Sequence, residues 1–308
     1  MSKRSILHML DPMPNNSPFD INMALDAGFD VLIPYNNVKL DSVYGLTQDA
    51  TFSRSPSGVK RTGIFIGGRD LGLAMDMLNT SKQAMVSPFE VSVFADPSGA
   101  FTTAAALVTC AEKELKTKHE KELKDCSVVI FGGTGPVGIA TGIIASLAGA
   151  DVTLTDHLSV DTALDVSKSY NRRFNCTLKG ALAKTEADKA QLVANADIIF
   201  CTAKAGIQVL SASILKEATK LKVAGDVNAV PPFGIEGIKN NDCGEPLVHA
   251  TNAQGAIGIG ALAIGNVKFQ LQHELLEAML GPEQPLFIDF RYAFNKAREM
   301  QFGPDGVN

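Results

Sequence analysis

"VVIFGGTGPVGIATGIIASLAGADVTLTDH", residues 128–157, is the stretch whose reading decides the fold. Its β-branched opening, "VVIF", predicts a strand, and the glycines that follow predict a turn. Val137, Ala140, Ile144 and Leu147 then recur at helical spacing, and "DVTLT" (151–155) predicts a second strand. Strand, turn, helix and strand make one βαβ unit of a parallel sheet. Inside it, Gly133, Gly135 and Gly138 form a GxGxxG, with Thr134, Pro136 and Val137 between them. Each glycine has its own physical reason. Gly133 is expected to make the tight turn, Gly135 to let backbone approach a pyrophosphate, and Gly138 to let the helix pack on the strand. Free N–H groups and the positive dipole end at the helix start suit phosphate. Pro136 fits the first helical turn, where its missing N–H would be unpaired anyway.

Asp156 ends the second strand, roughly 20 residues beyond the loop, where a carboxylate can bond an adenosine ribose diol. It would repel a 2′-phosphate, so NAD is expected over NADP. His157 beside it softens that preference if it donates a hydrogen bond. Further strands are predicted at "DIIFCTA" (197–203) and "KVAGDVN" (222–228). Ligands of such sheets lie at the carboxyl ends of strands, so Ala203, Asp226 and Asn228 are expected at the cofactor.

The first hundred residues alternate in the same way. Strands are predicted at "SILHML" (5–10), "FDVLIPY" (29–35), "TGIFIGG" (62–68) and "FEVSVFAD" (89–96). Between the first two lies a helix with Ser17 as N-cap, Pro18 at its first position and Gly28 as stop. "DLGLAMDMLNTSKQAM" predicts another helix. Asp96, Pro97 and Gly99 make a turn, after which Thr102 or Thr103 is expected to cap an alanine-rich helix that crosses to a second domain. The segment 255–280 reads as helical after a glycine-rich start and returns the chain. The expected architecture is α/β in two domains with a cleft between: an N-terminal substrate-side domain, 1–103 completed by about 275–308, and a Rossmann-type parallel-sheet domain, 104–274.

Composition narrows the function. With 308 residues, 45% hydrophobic and 20% charged, the chain can bury full cores. A net charge of −5 argues against a nucleic-acid partner. Residues 112–125 are densely charged, but both signs alternate at helical spacing, as on a solvated helix. No apolar run is long enough for a bilayer, and the first apolar segment is too short for a signal peptide, so a cytoplasmic protein without a membrane partner is expected. Five cysteines with no CxxC and five histidines with no HxH or HExxH predict neither a disulfide framework nor a metal.

Several blocks together carry a family resemblance: "PFD" near residue 19, "FIGGRD" (65–70), "DPSGAFTTAAA" (96–106), "FGGTGPVG" (131–138), "DVNAVPPFGIEGI" (226–238) and "GALAIGNVKFQLQ" (260–272). In this order, over nearly the whole chain, they resemble the bacterial NAD(P)-dependent methylene-tetrahydromethanopterin dehydrogenases. Of two related forms in methylotrophs, the strictly NADP-dependent one carries Gly-Arg where this chain has Asp156-His157. The chain therefore resembles the form that accepts NAD as well as NADP. The resemblance implies oxidation of methylene-tetrahydromethanopterin to its methenyl form, a step of formaldehyde oxidation, by a homo-oligomer. It also implies a pterin-facing Phe19 and an active-site Lys268. A histidine one turn beyond that lysine in the NADP-only form is Gln272 here, and the adjacent His273 points about 100° away on a helix.

That reaction asks for little acid–base machinery, because hydride loss leaves a cation stabilised by two nitrogens. It asks for alignment in a dry site. Phe19 can stack on an aromatic ring, with a core residue as the competing reading. Lys268, beside Ile264 and Leu271, can donate to the substrate, with a snorkelling surface lysine as the competitor. Asp20 or Asp96 can match the donor pair of an aminopterin ring, or serve as helix cap and turn acid. Ser98, Thr102 and Thr103 can bind substrate or cap the helix. Two other functions compete. One is a methylene-tetrahydrofolate dehydrogenase, whose Tyr-xxx-Lys spacing recurs at Tyr35 and Lys39. The other is a nucleotide sensor without turnover.

Overall fold

A computed structural model describes residues 4–304. The first elements in chain order are β1 (Ile6–Leu10), α1 (Pro18–Asp26), β2 (Val31–Tyr35), α2 (Leu40–Phe52), α3 (Pro56–Val59), β3 (Thr62–Ile66), α4 (Leu71–Gln83) and β4 (Ser92–Ala95). Then come α5 (Ala100–His119), β5 (Ser127–Phe131), α6 (Pro136–Leu147), β6 (Asp151–Asp156), α7 (Val160–Phe174), β7 (Leu178–Leu182), α8 (Glu186–Ala194) and β8 (Ile198–Cys201). The last are α9 (Ala212–Leu215), β9 (Val223–Asp226), β10 (Cys243–Pro246), β11 (Ile257–Ile259), α10 (Ala261–Ala278), β12 (Phe287–Ile288) and α11 (Phe290–Phe302). They fall into two units, 4–102 with 269–296, and 103–268 with the residues from 297 on.

The first unit holds a five-stranded sheet in the order β12-β4-β3-β1-β2, parallel throughout. Strands β3 and β4 are buried along their whole length, which is why they read as unbroken apolar runs rather than alternating ones. Ser17 caps α1 by accepting from the Asp20 amide, Pro18 opens it, and Gly28 follows its end at φ +102°. Asp70 caps α4 through the Leu73 amide at 2.9 Å. The start of α5 departs from expectation. Neither Thr102 nor Thr103 caps it: the helix begins at Ala100, and the buried Asp96 accepts from the Phe101 and Thr102 amides at 2.9 and 3.2 Å. A 3-10 turn, Pro97–Gly99, stands between, with Ser98 and Gly99 at φ 55° and 63°. It carries the carboxylate back over the helix start from five and six residues upstream, a spacing that cap rules do not cover.

The second unit holds seven strands in the order β10-β11-β9-β8-β5-β6-β7, parallel except for β10 against β11. Strands β8, β9 and β11 are wholly buried. Within this unit Phe131, Ile199, Leu210, Leu215, Leu221 and Ile235 belong to one apolar cluster. The glycine-rich start of 255–280 holds β11, and the helix expected after it is α10. Strands β7, β10, β11 and β12 and helices α2, α3 and α11 are additions to the sequence reading.

The chain passes between units at 102–103, 268–269 and 296–297. The return thus falls six residues before the expected boundary, and of the residues after it those up to 296 join the first unit while 297–304 join the second. Side chains explain the second correction. Arg298 forks onto Glu112 of α5, Nε to Oε2 at 2.8 Å and Nη2 to Oε1 at 2.9 Å, and Lys116 sits 4.4 Å from the Phe302 ring centroid.

Candidate functional site

In the second unit the strand order reverses between β5 and β8, because the chain runs outward through β6 and β7 before returning on the other side of β5. Open α/β sheets hold ligands outside the carboxyl ends of strands at such a point. The glycine loop lies there. The left-handed residue is Gly132, at φ +74°, and not Gly133 as the motif suggests. A Cβ on Gly132 would fall 2.7 Å from the Ala203 backbone, so the β5 and β8 ends can meet this closely only at glycine. Gly133 is constrained from another side, since a Cβ there would meet the Ile130 carbonyl oxygen and the Thr155 amide, both at 2.8 Å. On Gly138 a Cβ would lie 2.5 Å from the Gly132 carbonyl oxygen, so its lack of a side chain seats α6 on the loop. Gly135 differs from all three. A Cβ there would meet only the Gly132 oxygen, at 3.4 Å.

Beside Gly135 opens a cavity of about 550 Å³, lined among others by Gly132, Thr134, His157, Thr202 and Ala203. Pro136 begins α6, and the Val137 carbonyl accepts from the Thr141 hydroxyl at 2.7 Å, so the first turn of this helix is fixed. Asp156 lies almost buried under the loop. Its Oδ2 accepts from the Thr134 hydroxyl at 2.8 Å, and its Oδ1 from the Leu158 and Ser159 amides at 2.8 and 3.0 Å. Burial pushes this carboxyl up, but the Ser159, Leu158 and Thr134 donors outweigh it and hold it below the usual carboxylate range. It is therefore ionised at neutral pH.

Asp156 itself is not among the residues lining this cavity, though Thr155 and His157 on either side of it are, and Asp226 and Asn228 do not line it either. Asp226 accepts from the Asn228 and Ile235 amides, both at 3.0 Å, and burial pushes its carboxyl up. Asn228 accepts from the Gly206 and Val230 amides and donates to the Pro232 carbonyl. The pair closes the loop after β9 and ties it to the loop after β8. Beneath them, burial holds the Cys201 thiol up at about 12, so it is no nucleophile at neutral pH. Lys268 is half-buried in α10, with Ile264 and Leu271 fully buried.

In the first unit the order reverses between β1 and β3. Phe19, in the first turn of α1, is 47% exposed, a large share for a phenylalanine. Its neighbour Asp20 is buried, and the Gln272 side chain, 0% exposed, donates to it through Nε2 at 2.8 Å. The structure thus brings together two residues 252 positions apart. Ser98 donates to the Gly68 carbonyl at 3.0 Å, and the Thr102 hydroxyl donates to Asp96 Oδ2 at 2.6 Å. Asp96 is fully buried among these helix-start donors, which is the cap reading of that residue. Thr103 belongs to the second unit. Tyr35 bonds His8 at 3.1 Å while Lys39 is exposed at the start of α2.

Asp11, which sequence reasoning passes over, directly follows β1 at the reversal point. Burial pushes its carboxyl up against hydrogen bonds from the Met13 and Gly68 amides, and a Cβ on Gly67 would strike its Oδ2 at 2.5 Å. The paired glycines of "FIGGRD" were the available signal. Among the described residues no group of three or more His, Cys, Asp or Glu side chains could hold a metal ion, and no helix is long and apolar enough to cross a membrane.

Known proteins resemble this chain along its whole length. Residues 18–98 match the family described as methylene-tetrahydromethanopterin dehydrogenase, N-terminal. The NAD(P)-dependent methylenetetrahydromethanopterin dehydrogenase of Methylorubrum extorquens is 46% identical over 96% of this chain and 99% of its own. The bifunctional protein MdtA of the same organism is 29% identical over 97% and 100%. Among solved structures, shikimate 5-dehydrogenase from Listeria monocytogenes covers 94% of this chain and 95% of its own at TM-score 0.51 and 12% identity, a likeness of fold alone.

Proposed function

We propose one reaction from one premise: the chain belongs to the NAD(P)-dependent methylenetetrahydromethanopterin dehydrogenases. It is an oxidoreductase of one-carbon metabolism that moves a hydride from methylene-tetrahydromethanopterin to NAD(P)+, leaving the methenyl form. The finer assignments are ours: the step serves formaldehyde oxidation in methylotrophic metabolism, in the cytoplasm, in a homo-oligomer. The observation that carries the cofactor assignment is the open space at Gly135 beside the cavity. Backbone can approach a pyrophosphate there because no side chain intervenes. The residues fit the group. Gly135 and the α6 start would take the pyrophosphate, Asp156, steadied by Thr134, the adenosine ribose, and Ala203 the far end of the strand gap. When bound, the nicotinamide supplies a hydride acceptor.

The chain's own contribution is positional. The methylene carbon lies between two nitrogens that share the developing positive charge, so no proton moves with the hydride. Alignment to roughly 3–3.5 Å and exclusion of water supply the rate. Phe19 offers an exposed ring for stacking on the substrate. Lys268 donates to a substrate heteroatom away from the reacting carbon, where an ammonium would oppose the developing cation. The Asp20–Gln272 pair holds α1 and α10 in register beneath Phe19. Ser98 and Thr103, at the start of α5, complete the substrate-binding set, while the buried Asp96 and Thr102 hold the helix start.

A spectrophotometric assay with methylene-tetrahydromethanopterin and methylene-tetrahydrofolate, each with NAD+ and NADP+, tests this function. Turnover is expected with the methanopterin substrate and both nicotinamides, NAD+ preferred. Reduction of neither nicotinamide would leave a nucleotide sensor in its place, and a preference for the folate would assign the other pterin. The NAD preference is placed on Asp156, so Asp156→Asn is expected to shift kcat/KM towards NADP+ by about 1–2 kcal/mol, the scale of one charge-assisted hydrogen bond. The asparagine can keep the Leu158 and Ser159 bonds and donate to Thr134, so the loop survives. An unchanged ratio would place the adenosine ribose elsewhere.

A further inference from the structure

The premise of dual cofactor use leaves a physical problem at Asp156. An ionised carboxylate at the ribose repels a 2′-phosphate, and the strictly NADP-type Gly-Arg pair is not present at 156–157. A chain that also accepts NADP needs a cation close enough to offset that repulsion.

Three lysines line the same cavity as the glycine loop: Lys184, Lys189 and Lys204. They are not equivalent. The Lys189 ammonium is committed to the Val209 carbonyl at 2.9 Å. Lys204 follows Ala203 out of β8, on the opposite side of β5 from Asp156. Lys184 leaves β7, the strand next to β6. Asp156 pairs with Leu182 in the sheet register, and the Asp156 carbonyl accepts from the Ala183 amide at 2.8 Å. Lys184 is the next residue after that bond. Its backbone is fixed by its own amide donating to Asp188 Oδ2 at 3.2 Å, inside the capping box of α8. Its side chain is exposed, while His157, the residue after Asp156, is exposed in the same cavity.

We propose that Lys184 pairs the 2′-phosphate of NADP and is the residue that gives this chain its second cofactor. The carboxylate below is part of the same arrangement. Thr134 and the Leu158 and Ser159 amides turn three donors onto Asp156 and spread its charge into the loop. A 2′-phosphate therefore meets a partly compensated anion on one side and a flexible ammonium on the other. A ribose 2′-hydroxyl needs no such cation, so Lys184 is indifferent to NAD. The inference rests on the dinucleotide assignment of this cavity.

The test is binding, measured by titration calorimetry on the whole protein with NADH, NADPH and the fragment 2′-AMP. Lys184→Ala is expected to weaken NADPH and 2′-AMP by about 10- to 100-fold, the range of one charge-assisted contact, and to leave NADH within about twofold. Lys184→Arg should keep most of the NADPH affinity, and raising salt should weaken NADPH more in the wild type than in Lys184→Ala. Equal losses for NADH and NADPH would mean that Lys184 shapes the loop rather than reading the phosphate, and would overturn the proposal. So would an unchanged NADPH affinity. A wild-type protein that binds neither dinucleotide would overturn the cavity assignment itself.

Discussion

Gly135→Val is expected to abolish dinucleotide binding while the protein stays folded. The two halves of that result come from different observations. Gly135 has φ −81° and ψ 165°, an extended conformation that valine adopts readily and that residues before proline favour. Its new Cβ would meet only the Gly132 oxygen at 3.4 Å, so the protein itself has room. The two methyls would occupy the space a pyrophosphate must enter. A loss of at least about 100-fold in affinity, about 2.7 kcal/mol, is expected by calorimetry. Its controls are Gly133→Ala and Gly138→Ala, whose methyls would press on backbone atoms at 2.8 and 2.5 Å. Those two should lower the melting temperature by about 10 °C. If Gly135→Val binds NADH like the wild type, the loop does not hold a pyrophosphate.

Lys268→Ala is the second large effect, and it separates positioning from proton chemistry. Hydride loss creates positive charge at the methylene carbon, so an ammonium aimed at that carbon would slow the step. Set to one side, the same ammonium can orient the pterin through a hydrogen bond. A misplacement of about 1 Å costs on the order of 100-fold in rate, so kcat/KM should fall by about that factor. NADH affinity should stay within about twofold, and hydride transfer should be flat across roughly pH 6–9 in wild type and variant alike. A lysine acting as a base predicts the opposite. The wild-type rate would rise with a single ionisation in that range, and the variant would lose the rise. Single-turnover hydride transfer across pH distinguishes the two, and near-normal turnover in Lys268→Ala would make it a surface lysine.

Much of the second unit was legible because four independent signals fell in register between Val128 and Asp156. What the motif could not decide was which glycine of "FGGTG" takes the left-handed conformation. That depends on how closely β8 approaches, and Ala203 is some seventy residues away. The cap of α5 was hidden for a related reason. Asp96 reaches Thr102 only because a 3-10 turn folds the intervening residues back. Asp20 and Gln272 were each visible as polar residues, but their pairing is a long-range contact with no local pattern. Strand β12, two residues long, is too short for any periodicity to register. Asp226 and Asn228 show the reverse case: their position at a strand end pointed to a ligand, while their hydrogen bonds go to the loop they close.

The crossings between the units have a consequence for how the molecule is made. All three lie inside helices, α5, α10 and α11, and not in loops. On a ribosome, the seven strands of the second sheet have all been synthesised once residue 259 has emerged. The first sheet, begun at residue 6, still waits for Phe287 and Ile288 to cover the edge of β4. Until then β4 offers an unpaired edge of the kind that recruits foreign strands. The sheet that starts translation is therefore the one completed last, and the nascent chain must carry that open edge from Ala95 until Phe287 and Ile288 emerge.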